Sequence, residues 1–96
     1  MKVRITRQAE ADLEAIADWI GRDNPERAVS FVAELLDRCL SLAEHPDRFP
    51  VYREFGGRIV RKMSHQDYVI LYVRLADRVE ITHIVHGARD LDGMPL

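Results

Sequence analysis

The chain opens on an alternation. In "KVRIT" Val3 and Ile5 fall on one side and Arg4 on the other, which predicts a short strand. From Thr6 the spacing changes. Ala9, Leu13, Ile16, Ala17 and Ile20 recur at helical intervals and make one apolar stripe. Thr6 is placed to cap that helix, and the acids Glu10, Asp12, Glu14 and Asp18 gather early in it, where they suit the helix dipole. Trp19 is expected to widen the buried face. "GRDNPE" interrupts the pattern: Gly21 ends the first helix, and Asn24 with Pro25 makes a cap and first turn for a second. The second helix is expected over 25–44, with Ala28, Phe31, Val32, Leu35, Cys39 and Leu42 as its stripe, broadened by Leu36, Leu40 and Ala43. So short a connection predicts an antiparallel helical hairpin.

The second half is written in a period of two. "HPDRFPVYREFGG" holds two prolines and a Gly-Gly pair and reads as a loop, with Phe49, Val51, Tyr52 and Phe55 as apolar anchors. Three strands follow, over 58–63, 68–75 and 79–86. The middle one, "YVILYVRL", is continuously apolar for six residues, as a strand covered on both faces should be. The order β-α-α-β-β-β predicts a two-layer α+β domain over 1–96. Its helical hairpin packs on an antiparallel sheet to which the first strand is added.

Composition narrows the function classes. The chain has 96 residues, 47% of them hydrophobic, and a formal net charge of −2, so nothing draws the whole molecule to nucleic acid or membrane. The charge is uneven. Residues 1–48 carry 7 basic and 10 acidic side chains, and residues 49–96 carry 7 basic and 6 acidic. Arginine supplies 12 of the 14 basic residues, a choice that suits forked contacts to carboxylate or phosphate and that codon bias would also produce. One cysteine, Cys39, excludes an internal disulfide, and its place on an apolar helical stripe reads as core. No metal-ligand spacing occurs, and no metal or cofactor is expected. "MKVRITRQ" lacks the apolar core of a secretory signal, and no apolar run spans a membrane, so the expected compartment is the cytoplasm.

Two stretches carry candidate chemistry. Residues 55–66, "FGGRIVRKMSHQ", contain no acid but include Arg58, Arg61, Lys62 and His65; on a strand Arg58 and Lys62 share one face and Arg61 takes the other. They read either as a basic patch or as a solvated edge guarded against strand pairing. "EITHIVHGARD" ends a β-branched run on His86, Gly87, Arg89 and Asp90, with Gly87 letting the backbone turn. That reads either as a charged functional rim or as a hydrogen-bonded histidine beside an Arg–Asp pair.

Several segments together resemble the RelE/ParE superfamily of type II toxins, and more closely its ParE branch: "AEADLEAIADWI", "NPERAVSFVAEL", "LAEHPDRFP" and "YVILYVRLADRVEITHIVHGARD" with Tyr68 and Tyr72. The resemblance covers essentially the whole chain. It implies a small cytoplasmic toxin of a bacterium or archaeon, neutralised by an antitoxin encoded beside it whose C-terminal segment wraps it. A ParD-like antitoxin would carry a ribbon-helix-helix DNA-binding domain, so that contact with DNA is indirect.

The ParE branch implies poisoning of DNA gyrase, and the RelE branch implies cleavage of mRNA on the ribosome. RNA cleavage must activate a 2′-hydroxyl, stabilise a phosphorane and protonate a leaving oxygen. Laid on the RelE pattern, Lys62 and Arg89 match basic positions. Val60 and Val69 stand where a lysine and an arginine would be, Pro95 falls near the tyrosine position, and no tyrosine follows Tyr72. An RNase would therefore rest on Lys62, His86 and Arg89, with His65 or His83 as substitutes. The ParE reading needs no catalytic centre, only a surface, expected at Arg58, Arg61, Lys62, His86 and Arg89. An antitoxin groove is expected along the hairpin at Leu13, Trp19, Phe31 and Leu35, residues that also suit an ordinary core. A non-toxic relative that only binds its antitoxin as co-repressor is a further alternative.

Overall fold

The computed structural model describes residues 1–91. Pro95 lies outside them. Strand β1 (Lys2–Ile5) leads into helices α1 (Arg7–Gly21) and α2 (Pro25–Ser41). Strands β2 (Val51–Phe55), β3 (Arg58–His65), β4 (Tyr68–Arg74) and β5 (Arg78–His86) follow, then the single turn α3 (Gly87–Asp90). The strands form one sheet in the order β1-β5-β4-β3-β2. The two-layer α+β architecture is the expected one, with a mixed rather than wholly antiparallel sheet, because β1 runs parallel to β5. Direction explains it. α1 continues along β5 in the direction of β1, with Thr6 at Ile81 and Asp12 at Ile84. The chain then reverses four times, between α1 and α2 and at the three hairpins, an even number, so β1 and β5 point the same way.

Local chemistry sets the element ends. Thr6 Oγ1 accepts the Ala9 N–H (3.2 Å) and donates to the Ile81 carbonyl (2.7 Å), so one hydroxyl caps α1 and ties it to β5. Asn24 Oδ1 accepts the Arg27 N–H at 3.0 Å, with Pro25 in the first turn of α2. That helix ends at Ser41, short of the expected 44. The Leu42 and Ala43 amides bond carbonyls only three residues back, each at 3.1 Å, which tightens the chain into a turn.

The stretch expected to be all loop contains β2. Gly56 (φ +59°) and Gly57 (φ +79°) form the left-handed two-residue turn that joins it to β3. Prolines and glycines in the flanks had hidden a strand of only five residues. The same strand corrects the anchors: Phe49 and Tyr52 are partly buried, but Val51 and Phe55 are exposed.

Apolar residues pack on both sides of β4. Tyr68, Ile70 and Tyr72 join Leu13, Phe31, Leu35 and Cys39 in the core under the helices. Val69, Leu71 and Val73 join Val60 on the opposite, open face, flanked by Tyr52 and Leu91. Burial pushes the Cys39 thiol up to about 12, which leaves it an inert core group. Among the described residues no helix is long and apolar enough to cross a membrane.

Candidate functional site

The end of β5 lies beside the far end of α1, and a groove opens between them. Trp19, expected to be buried, is 53% exposed on its wall. The reason is position: the neighbouring stripe residues Ile16 and Ile20 turn into the core, and Trp19 sits beside them on the groove wall. Arg22, one helical turn on, sets its guanidinium 5.3 Å from the Trp19 ring centroid. Arg89, from α3, approaches the same ring at 5.5 Å. Among the described residues neither guanidinium has a carboxylate within ion-pair distance. The groove floor is a run of rings. His65 and Phe31 lie 5.5 Å apart, Phe31 and Tyr68 5.5 Å, and Tyr68 and His86 5.3 Å edge to face. The main chamber measures about 560 Å³, and a second of about 330 Å³ shares Trp19, Tyr68, His86 and Arg89 with it.

His86 pairs with Tyr68 across the sheet, and its Nδ1 accepts the Arg89 N–H at 3.3 Å, capping α3. Gly87 has an ordinary φ; its need is space. A Cβ there would come within 3.2 Å of a Val69 methyl, while its amide donates to the Asp67 carbonyl at 2.8 Å. The closing His-Gly-Ala-Arg-Asp thus folds as one turn that aims Arg89 at Trp19.

The open face carries a different set. Arg58 and Lys62 lie there, on the same side of β3 as Val60. The Lys62 ammonium is 5.7 Å from the Tyr52 ring and the Arg53 guanidinium 4.7 Å from it. Tyr52 Oη in turn donates to the Leu91 carbonyl at 3.1 Å. A cavity of about 110 Å³ sits between Phe55, Arg58, Val60, Val73, Thr82 and His83. His83 Nδ1 is buried without a partner, and burial holds its imidazole below the usual histidine range, against the pull of Asp12. Glu80 is held ionised by Arg78 Nε and Arg4 Nη1, both at 3.0 Å. Arg78 does more than Arg4 to keep that carboxyl below its ordinary value, with desolvation opposing both.

The structure sorts the residues singled out from the sequence. Trp19 and Phe31 come together with His86 and Arg89, so two sets assigned to different partners share one groove. Leu13 and Leu35 are core residues. Arg58 and Lys62 occupy the open face. Arg61 takes the opposite side and is committed to the loop before β2, donating to the Phe49 carbonyl at 2.8 Å and the Asp47 carbonyl at 3.4 Å. The sheet therefore separates Lys62 from His86 and Arg89, and those three do not form a common catalytic site. Among the described residues no cluster of three or more His, Cys, Asp or Glu could hold a metal ion. Arg22 was missed as a site residue, and His83 was named only as a substitute, without its burial. Arg22 was readable from its three-residue spacing from Trp19; nothing in the sequence marks the burial of His83.

Comparison with known proteins settles the family. Residues 3–91 match the model described as the ParE toxin of the type II toxin–antitoxin system parDE. The chain belongs to the ParE toxin family. It is thus a toxin of the type II class within the wider ParE/RelE group. It is 35% identical over 89 residues to Toxin RelE2 of Caulobacter vibrioides, covering 88% of this chain and 92% of that one. The ParDE system of P. aeruginosa has a similar fold, with a TM-score of 0.78 at 23% identity over 90% of this chain and 95% of that one. The toxin–antitoxin complex RelBE2 of Mycobacterium tuberculosis matches with a TM-score of 0.59 at 26% identity, covering 88% of each chain.

Proposed function

We propose that this chain arrests bacterial growth by poisoning DNA gyrase and is neutralised by a ParD-like antitoxin. The observation that carries this reading is the division of the basic residues. The groups that an RNA-cleaving site would need together, Lys62 with His86 and Arg89, lie on opposite sides of the sheet. What the molecule offers instead is contact surface: a half-exposed tryptophan among rings, rimmed by guanidiniums with no carboxylate partner among the described residues. Tryptophan, tyrosine and arginine in a groove are the residues that dominate binding energy at interfaces. Membership of the ParE family and likeness to two toxin–antitoxin systems support an antitoxin as partner, and gyrase as target is what the resemblance to the ParE branch implies. A gyrase poison holds a cleavage complex that gyrase itself makes, so no catalytic group of the chain is required.

The test is a plasmid supercoiling and cleavage assay with purified gyrase, ATP and this protein. Linear plasmid should accumulate after protein removal, and added antitoxin should abolish it. Unchanged supercoiling, together with cleavage of ribosome-bound mRNA in primer extension, would instead move the activity to the open face, to Arg58, Lys62 and the neutral His83. Inactivity in both assays, with growth unaffected on induction, would leave a co-repressor that only binds its antitoxin.

A further inference from the structure

The groove at Trp19 has a chemistry definite enough to describe its occupant. We infer that it receives the antitoxin, through a segment that packs an apolar side chain on Trp19, Phe31 and Tyr68 and sets a carboxylate on Arg22 and Arg89. This rests on the reading of the chain as an antitoxin-bound toxin and adds where, and by what groups, the partner is held.

Three observations carry it. First, Trp19 is 53% exposed, a large apolar area that a partner can cover. Second, two guanidiniums lie within 5.3 and 5.5 Å of its ring, and among the described residues neither has a carboxylate within ion-pair distance. Such contact with the ring orients an arginine without consuming its N–H donors, which stay free for a forked bond to a carboxylate. By contrast Arg27, the other arginine on the groove, is already paired with Glu34 and needs no partner. Third, Asp12, Asp67 and Asp90 also line the groove. They would repel a run of acids, so the segment presents a single carboxylate beside Trp19 and is otherwise apolar. Occupancy would also cover His86 and Arg89, so that neutralisation follows from concealment of part of the surface assigned to the target.

Trp19 is the chain's single tryptophan, so its fluorescence reports on the groove alone. The antitoxin, purified from the co-expressed complex and itself free of tryptophan or carrying phenylalanine in its place, is titrated into the toxin, with calorimetry as an independent measure of binding. The expected result is a blue shift of Trp19 emission that saturates with binding. Arg22→Glu and Arg89→Glu should each weaken affinity about tenfold or more. Arg58→Glu and Lys62→Glu, on the open face, should leave it within about twofold. Circular dichroism checks that each variant folds, and the milder Arg22→Gln and Arg89→Gln should fall between. Tight calorimetric binding with unchanged Trp19 emission would place the antitoxin elsewhere and overturn the groove assignment while leaving the antitoxin reading intact. A blue shift indifferent to both arginine reversals would overturn the carboxylate. Absence of binding by either method would overturn the antitoxin reading itself.

Discussion

At the scale of single residues, burial decides which charged groups are available for work. Arg61 and Arg58 are three positions apart on one strand, yet one is spent on loop carbonyls and the other faces solvent. His83 shows the same selection acting on protonation. Its folded form resists a proton because the ring is buried, so its pKa lies below that of the unfolded chain. The unfolded state therefore binds the extra proton first. The stability contributed by neutral His83 is complete above the ordinary histidine range and is lost as pH falls through about 6.5. Melting temperatures of the wild type and His83→Gln, measured from pH 7.5 to 5.5, should show the wild type falling more steeply. Parallel curves would mean that His83 takes no part. The exposure of Trp19 was the residue-scale fact hardest to foresee, since an apolar residue beside a helical stripe reads as core until the neighbouring elements leave a groove there.

At the scale of elements, the two helices and the three closing strands were legible because each is long enough for its period to show. The stripe from Ala9 to Ile16 and the unbroken run from Tyr68 to Val73 are both buried in the fold. β2 was not legible, because a short edge strand between prolines and glycines needs its neighbour β3 to define it. Nor was the convergence of α1, α2 and α3 on one groove, since no sequence period connects Trp19, Phe31 and Arg89. The junction of α1 with β5 depends on a hydroxyl that serves both. Thr6→Ala removes the cap and the bond to Ile81 and should cost about 1–2 kcal/mol in urea denaturation. Thr6→Ser should recover most of the loss, and a Thr6→Ala variant as stable as wild type would show the cap to be idle.

At the scale of the whole molecule, the sheet divides two surfaces of different character: an aromatic groove on the helical side and a basic, apolar-floored face on the other. A chain this small has little stability to spare, so a bound partner should be felt throughout it. Antitoxin at a hundredfold excess over its dissociation constant adds about 2.7 kcal/mol. For a domain of this size that should raise the melting temperature by about 10 °C or more. A thermal shift below a few degrees under those conditions would mean that the partner engages the unfolded chain as well. The parallel pairing of β1 with β5 also bears on synthesis. Arg4 meets Glu80 across 76 residues of sequence, and the sheet edge beside β1 does not exist until β5 has been translated. The helical hairpin can form early, but its apolar stripes have no sheet to cover them until the last strands emerge from the ribosome. A nascent chain halted before Ile81 is thus not a smaller toxin but an unfinished one, and the cell has the whole span of translation in which to supply the antidote before there is a fold to neutralise.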